Sequence, residues 1–503
     1  MTIVIDNAAS WRDIAQVSEG ESLALAATAW ERIAYANQIV AAIVEKGIRA
    51  YGVNTGVGAL ASKVVAPALQ KRLSRNIILS HACGVGDLVP ARGVRAIIAA
   101  QVANFAHGHS GVSPRIVRNL LAFLERDCIP DVPSRGSAGY LTHNAHVALV
   151  LIGEGNASVA GRSMSGREAL LEIGLEPLVL GAKEGLSLVN GTACATGLSS
   201  IALLRAKRLL EWADAVAALT LEAAGAQVAA FGEQTLAMRP SPGIQAVGRS
   251  LRGWLNGSGL IAAASGSRTQ DALSLRAVPH VHGAAREVWD RSAQLVDREL
   301  ASVTDNPAVS GSLRDPLVVS EAHAVAPALG QAADGLTIAL AQVAGMSERR
   351  IDRLVNPLVS NLPAFLANED GCNSGFMIAQ YTAASLSNVN RRLAAPAATD
   401  GGVTSGLQED FLAHPTVAAN KLLAVIDNAE YILAIELMAA AQAHDFLAER
   451  GARAPGTDAI YRMVRDCIAH YSDDRPLSWD VEALRNFIRT VDVSQRPQAL
   501  SSP

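Results

Sequence analysis

The sequence predicts a mainly α-helical protein, and three observations carry that prediction. Half of the 503 residues are apolar, and the excess is Ala and Leu rather than Val, Ile and Thr, which favours helix over strand. Long stretches repeat at the helical period. Charged residues make up 18% and aromatics 4%, where about a quarter charged is usual. Such a chain has more positions to bury than to expose, as in a large oligomer, and is not disordered.

The first 195 residues hold short apolar segments punctuated by glycine: YGVNTGVG at 51–58, HACGVG at 81–86, RGSAGY at 135–140, LIGEG at 151–155 and VNGT at 189–192. Loops of this kind let backbone approach a ligand or another chain. Residues 1–195 are therefore expected to form an N-terminal active-site domain, and 196–503 a central helical bundle with a C-terminal helical region. From Ile201 to Phe231, Lys207, Glu211 and Asp214 share one helical face, and Leu203, Leu210 and Ala217 another. Beyond Ala215 the stretch is apolar nearly all round until Gln227, which predicts a buried helix. Ala328–Ile351 and Ala418–Arg450 predict two more long helices, and such helices side by side make a bundle. The tail after Arg496 is expected to fray.

A net charge of −4 leaves no basic excess for phosphates, so nucleic-acid binding is excluded. The five cysteines are scattered without a CxxC pair, which argues against a disulfide framework or a zinc cluster. His280 and His323 are lone histidines, expected to be structural, and no metal is expected. The start has no basic segment followed by an apolar one, and apolar runs are expected to break before 18 residues. A soluble cytoplasmic protein, with no membrane partner, is the expectation.

YGVNTGVG, LSHACGVG around His81, GSAG at 136–139 and AHVALVLIGEG at 145–155 come in one order with LSLVNGT at 186–192 and QDALSLR at 270–276. TDNP at 304–307, NSGFMIAQ at 373–380, QED at 408–410 and DDRPLSWDVEAL at 473–484 complete the series. Together they resemble the histidine/phenylalanine ammonia-lyase superfamily across almost the whole chain. The resemblance implies the ammonia-lyase fold, mainly α with a long central helical bundle. It also implies a homotetramer with shared active sites, and α,β-elimination, in which an amine leaves the α-carbon and a proton leaves the β-carbon. Usual members capture the substrate on a methylidene-imidazolone, made by cyclising an Ala-Ser-Gly tripeptide that follows a GSxG segment.

Here Gly139 is followed at once by Tyr140, and the tripeptide is missing. Catalysis must lower a barrier by about 8–23 kcal/mol, and one oxyanion-type hydrogen bond supplies only about 3–4. A chain without the electrophile is expected to need a good leaving group, such as trimethylamine. The sequence thus resembles the branch lacking the electrophile, the ergothionase-like lyases. The leading expectation is release of trimethylamine from a histidine betaine, ergothioneine or hercynine, to give a urocanate-type acrylate with no cofactor. The first alternative is an ordinary histidine or aromatic amino acid ammonia-lyase, with a methylidene-imidazolone present only if an Ala-Ser-Gly unit follows Gly139. The second is an inactive amino-acid-binding relative.

By the resemblance, Tyr51 is the catalytic base, Arg276 grips the substrate carboxylate, and Asn190 and Gln270 contact the carboxylate and the reacting centre. His81 senses the substrate ring and Glu409 lies near the ring or the amine. Tyr140 is placed in the catalytic set by its position alone: it occupies the point where the electrophile would stand, and its ring face suits a trimethylammonium. His143 replaces the family's proline. Leu273 replaces a tyrosine, and the Gly-Asn-Phe stretch is absent near Ser320-Glu321-Ala322-His323, so that part of the pocket wall differs.

Overall fold

The computed structural model describes residues 2–368, 371–399 and 401–493; the tail expected to fray lies outside them. Helix dominates, as the composition predicts. The described strands are short, four residues at most, and include a parallel pair, Thr2–Ile5 with Ser22–Leu25. A three-stranded antiparallel sheet is built from Cys128–Pro130, Asn156–Val159 and Arg162–Ser165.

The chain divides into two compact units, 1–204 with 292–334 and 396–420, and 205–291 with 335–395 and 421–503. This differs from a single boundary at 195. TDNP and QED lie far along the chain, yet they belong with the glycine-rich segments. A composition shift marks where a pattern changes and carries no information about where the chain returns.

In the first unit, helices Ala27–Glu45, Gln70–His81, Ala91–Ala106, Pro114–Glu125 and Thr142–Leu151 surround the short strands. One apolar cluster joins Ala36, Ile39, Val40 and Ile43 to Ala50, Val53 and Val309. It anchors the residues on either side of Tyr51. Helix Gln70–His81 crosses Glu184–Val189 so closely that a Cβ on Gly185 would lie 2.2 Å from the Ser74 carbonyl oxygen.

The second unit is a helical bundle. It holds most of Pro327–Val355 and Pro415–Asp445, the later part of Ala193–Ala223, and Met377–Leu393, Pro455–Cys467 and Ser478–Thr490. Helix Ala193–Ala223 stops short of the expected Phe231. Gly225 takes a φ of +58, and the amides of Gly225 and Ala226 bond back to the carbonyls of Glu222 and Leu221, a Schellman ending that glycine permits. Residues 228–231 form a separate 3₁₀ turn. Buried ion pairs cross this unit: Arg350 clamps both carboxylate oxygens of Glu436 at 2.5 and 2.8 Å, and Asp214 takes His282 at 2.8 Å and Arg286 at 2.7 Å.

The expectation that apolar runs break before 18 residues needs correction. Glu184–Ala223 is long and apolar enough to cross a membrane, with a mean hydropathy of 1.3. Its apolar window is wholly buried inside the protein, which is where a core helix belongs.

Candidate active site

A cavity of about 920 Å³ opens in the first unit, lined by Tyr51, His81, Tyr140, Asn190 and Glu409 among others. Each is held by a local device. In YGVNTGVG, the Asn54 side chain accepts from the Ala50 amide at 2.9 Å and donates to the Ile48 carbonyl at 2.8 Å. Gly52 has φ +62, and a Cβ there would strike Leu186 at 2.1 Å. With Ala50 and Val53 buried, Tyr51 is left half-buried on the cavity wall, where its hydroxyl accepts from the Gly58 amide at 3.1 Å. Burial and the Glu409 charge push the Tyr51 phenol up, against the Gly58 hydrogen bond.

His81 ends its helix, and its Nδ1 meets the Ser80 hydroxyl at 3.1 Å. Burial holds its imidazole below the usual range, so the ring is neutral near pH 7. Glu409 sits on a tight loop closed by mutual backbone bonds with Thr404, whose hydroxyl donates to its Oε2 at 2.8 Å. The Tyr140 phenol is pushed up by burial first, then by the charge of nearby Glu409 and by Tyr51. Tyr51, His81, Tyr140 and Glu409 therefore form one electrostatic group.

The short junction after Gly139 is closed by strain. Leu141 has φ +76 and ψ −69, with the Thr142 amide bonded to the Tyr140 carbonyl at 3.1 Å. That is a γ-turn of the positive-φ kind, rare and costly for a residue with a Cβ. It lets helix Thr142–Leu151 begin directly after Tyr140.

Asn190 lines the cavity, but its amide is already used: it donates to the Asn306 carbonyl at 2.6 Å and accepts from the Gly191 amide at 3.0 Å. Gln270 and Arg276 do not line it; they belong to the second unit, where Arg276 donates to the Asp271 carbonyl at 2.9 Å. Leu273 in the same segment is 62% exposed. His143 is buried away from the cavity, and burial holds its pKa down. Sequence reasoning did not single out Asn306, Glu321, Gln408, Asp410 or Phe411 as site residues, though all line the cavity. The signal was there for Glu321, which occupies the stretch flagged as unlike the family.

The aromatic amino acid lyase family profile matches residues 9–466, and the chain belongs to that family. Histidine ammonia-lyase of Symbiobacterium thermophilum is 41% identical over 97% of both chains. The crystal structure of histidine ammonia-lyase from Trypanosoma cruzi superposes with a TM-score of 0.91 at 31% identity, over 100% of this chain and 96% of that one. Ergothionase from Treponema denticola superposes with a TM-score of 0.90 at 28% identity, over 100% of each. The fold does not separate these two, and sequence kinship does.

That kinship corrects four expectations. The chain groups with the ammonia-lyases and not with the electrophile-free branch. The trimethylamine and betaine reading falls with that branch, as does the ergothionase description. The expectation of no cofactor falls too, since kinship implies the methylidene-imidazolone. A three-residue junction is too small a feature to place a chain of this length in a branch. The junction itself nevertheless does not fit the implied group. Gly139 joins Tyr140 with no Ala-Ser-Gly between, and the neighbouring Ser137 hydroxyl is engaged, donating to the Tyr140 carbonyl at 2.9 Å and accepting from the Gly139 amide at 3.1 Å.

Proposed function

We propose that this carbon–nitrogen lyase is an ammonia-lyase acting on histidine or a close imidazole-bearing amino acid, releasing ammonia and a ring-conjugated acrylate. The observation that carries the reading is 41% identity, along 97% of the chain, to a protein named histidine ammonia-lyase. The cavity supports it: His81, kept neutral with Nδ1 on the Ser80 hydroxyl, has Nε2 left to donate to or accept from a substrate azole, according to its tautomer.

Tyr51 takes the β-proton in this reading. Its raised pKa makes the phenolate a strong base but a scarce one near neutrality, so a cation brought by assembly or substrate must favour ionisation. Glu409 and Tyr140 flank it at the reacting end. Arg276 holds the substrate carboxylate and Gln270 the reacting centre, both from a second copy of the chain in a homotetramer. Exposed Leu273 beside them, and an apolar composition, support that assembly. Five unpaired cysteines support a cytoplasmic setting.

Incubation with histidine should give ammonia and the ultraviolet-absorbing acrylate in equal amounts. Tyr51→Phe should lower kcat by about 10²- to 10⁴-fold. No ammonia from histidine or any aromatic amino acid tested would overturn the reading. Intact mass separates the routes. An added dehydrated Ala-Ser-Gly unit accounts for activity by the family's electrophile. Activity from a chain whose peptide map joins Gly139 to Tyr140 would require another source of leaving-group activation.

A further inference from the structure

Three carboxylates line the cavity, Glu321, Glu409 and Asp410, and the first two stand in different circumstances. Glu409 accepts from the Thr404 hydroxyl. Glu321 belongs to a second polar group, built on Asn306. The Asn306 side-chain oxygen accepts from the Glu321 amide at 2.9 Å and the Ser320 hydroxyl at 3.2 Å, while its carbonyl accepts from Asn190 at 2.6 Å. Glu321 is thus one residue removed from Asn190, which the family resemblance places, with Gln270, at the substrate carboxylate and the reacting centre.

The Glu321 side chain is 17% exposed, and its Oε1 is buried with no hydrogen-bond donor. Oε2 accepts only a long bond, 3.4 Å, from the Ala308 amide. The charged groups facing it are His323, Asp305 and Lys183. His323 approaches Oε1 at 3.4 Å from the exposed side. Lys183 is fully committed, its ammonium donating to the Ser110 carbonyl, the Ser187 hydroxyl and Asp305 at 2.7 to 2.9 Å. A buried carboxylate oxygen left without a donor is destabilising until something supplies one. The next residue, Ala322, also lines the cavity and adds little bulk there.

We propose that Glu321 is a second substrate-binding carboxylate of this cavity, one that receives the positively charged nitrogen on the substrate's α-carbon. The proposal rests on the amine-eliminating reading of the site but not on which ring the substrate carries.

The test pairs each α-amino acid with its deamino analogue: histidine with imidazolepropionate, phenylalanine with phenylpropionate, tyrosine with hydroxyphenylpropionate. Binding to the assembled protein is measured by calorimetry for the parent chain and for Glu321→Gln, with melting temperature as a check on folding. The substitution should weaken the amino acid of whichever pair binds by about 10- to 100-fold and leave its deamino partner within about twofold. Glu321→Ala should behave the same way. Equal loss for both members of the pair, no loss for either, or no pair bound by the parent chain would each overturn the proposal. If a non-imidazole pair binds best and shows the selective loss, the histidine reading fails while Glu321 keeps its role.

Discussion

The bundle and the cavity treat carboxylates in opposite ways. In the bundle, Glu436 and Arg350 are both fully buried and joined by two bonds, with the Thr220 hydroxyl adding a third at 2.7 Å. Asp214 is likewise surrounded by His282 and Arg286. In the cavity, Glu409 meets the Thr404 hydroxyl and Glu321 has an oxygen with no donor. These two bundle carboxylates are neutralised within the chain, whereas among the described residues Glu409 has no ion pair and Glu321 meets only His323, at 3.4 Å.

The largest expected effect tests that contrast directly. Glu436→Gln leaves Arg350 buried without its counter-charge and should lower unfolding free energy by about 3–5 kcal/mol. Glu409→Gln removes a carboxylate with no cation partner, and Thr404 keeps an acceptor. Its stability should change by less than about 1 kcal/mol while turnover falls. Denaturant titration of both variants beside a histidine assay makes the comparison. If the two lose equal stability, the contrast between bundle and cavity is broken.

Sequence reasoning reached these regions unevenly. Tyr51, His81, Asn190 and Glu409 were legible because each sits in a short motif whose neighbours fix its geometry, as Asn54 and Gly52 do for Tyr51. The bundle's helices were legible from their period. Its ion pairs were not, because Arg350 and Glu436 stand 86 residues apart and helical periodicity does not say which helices face each other. Arg276 and Gln270 were legible as motif members, yet the cavity of one chain does not include them. The gap at Gly139 is a local feature and does not decide the branch, which similarity along 97% of the chain does.

An intermediate effect concerns pH. His444 is buried in the second unit, its Nε2 on the Leu219 carbonyl at 3.0 Å, and burial pushes its pKa down to about 4. Unfolded, it returns to about 6.5. Below that pH the unfolded chain takes up a proton that the folded chain refuses. Stability from this group is therefore complete above about pH 6.5 and is lost as pH falls towards 4, at up to about 1.4 kcal/mol per unit. His444→Gln should flatten the difference between pH 6.5 and 4.5 in urea titrations. An unchanged slope would mean that this histidine has another route to its proton, and that the bundle's interior is less closed than its ion pairs indicate.

The smallest effect lies at the strained end of the cavity. At ordinary negative φ, alanine is more stable than glycine by about 0.5–1 kcal/mol, because glycine loses more freedom on folding. At Leu141, φ is +76, where a Cβ is penalised by about 1–2 kcal/mol. Leu141→Gly and Leu141→Ala remove the same packing to within one methyl group, so comparing them isolates the backbone term. The glycine variant should be the more stable by up to about 1 kcal/mol, reversing the usual order. It should also be the less active, since relaxing the turn frees Tyr140 from its place beside Glu409. Alanine proving both more stable and less active would show that the turn is unstrained, and that Tyr140 is held by its own contacts.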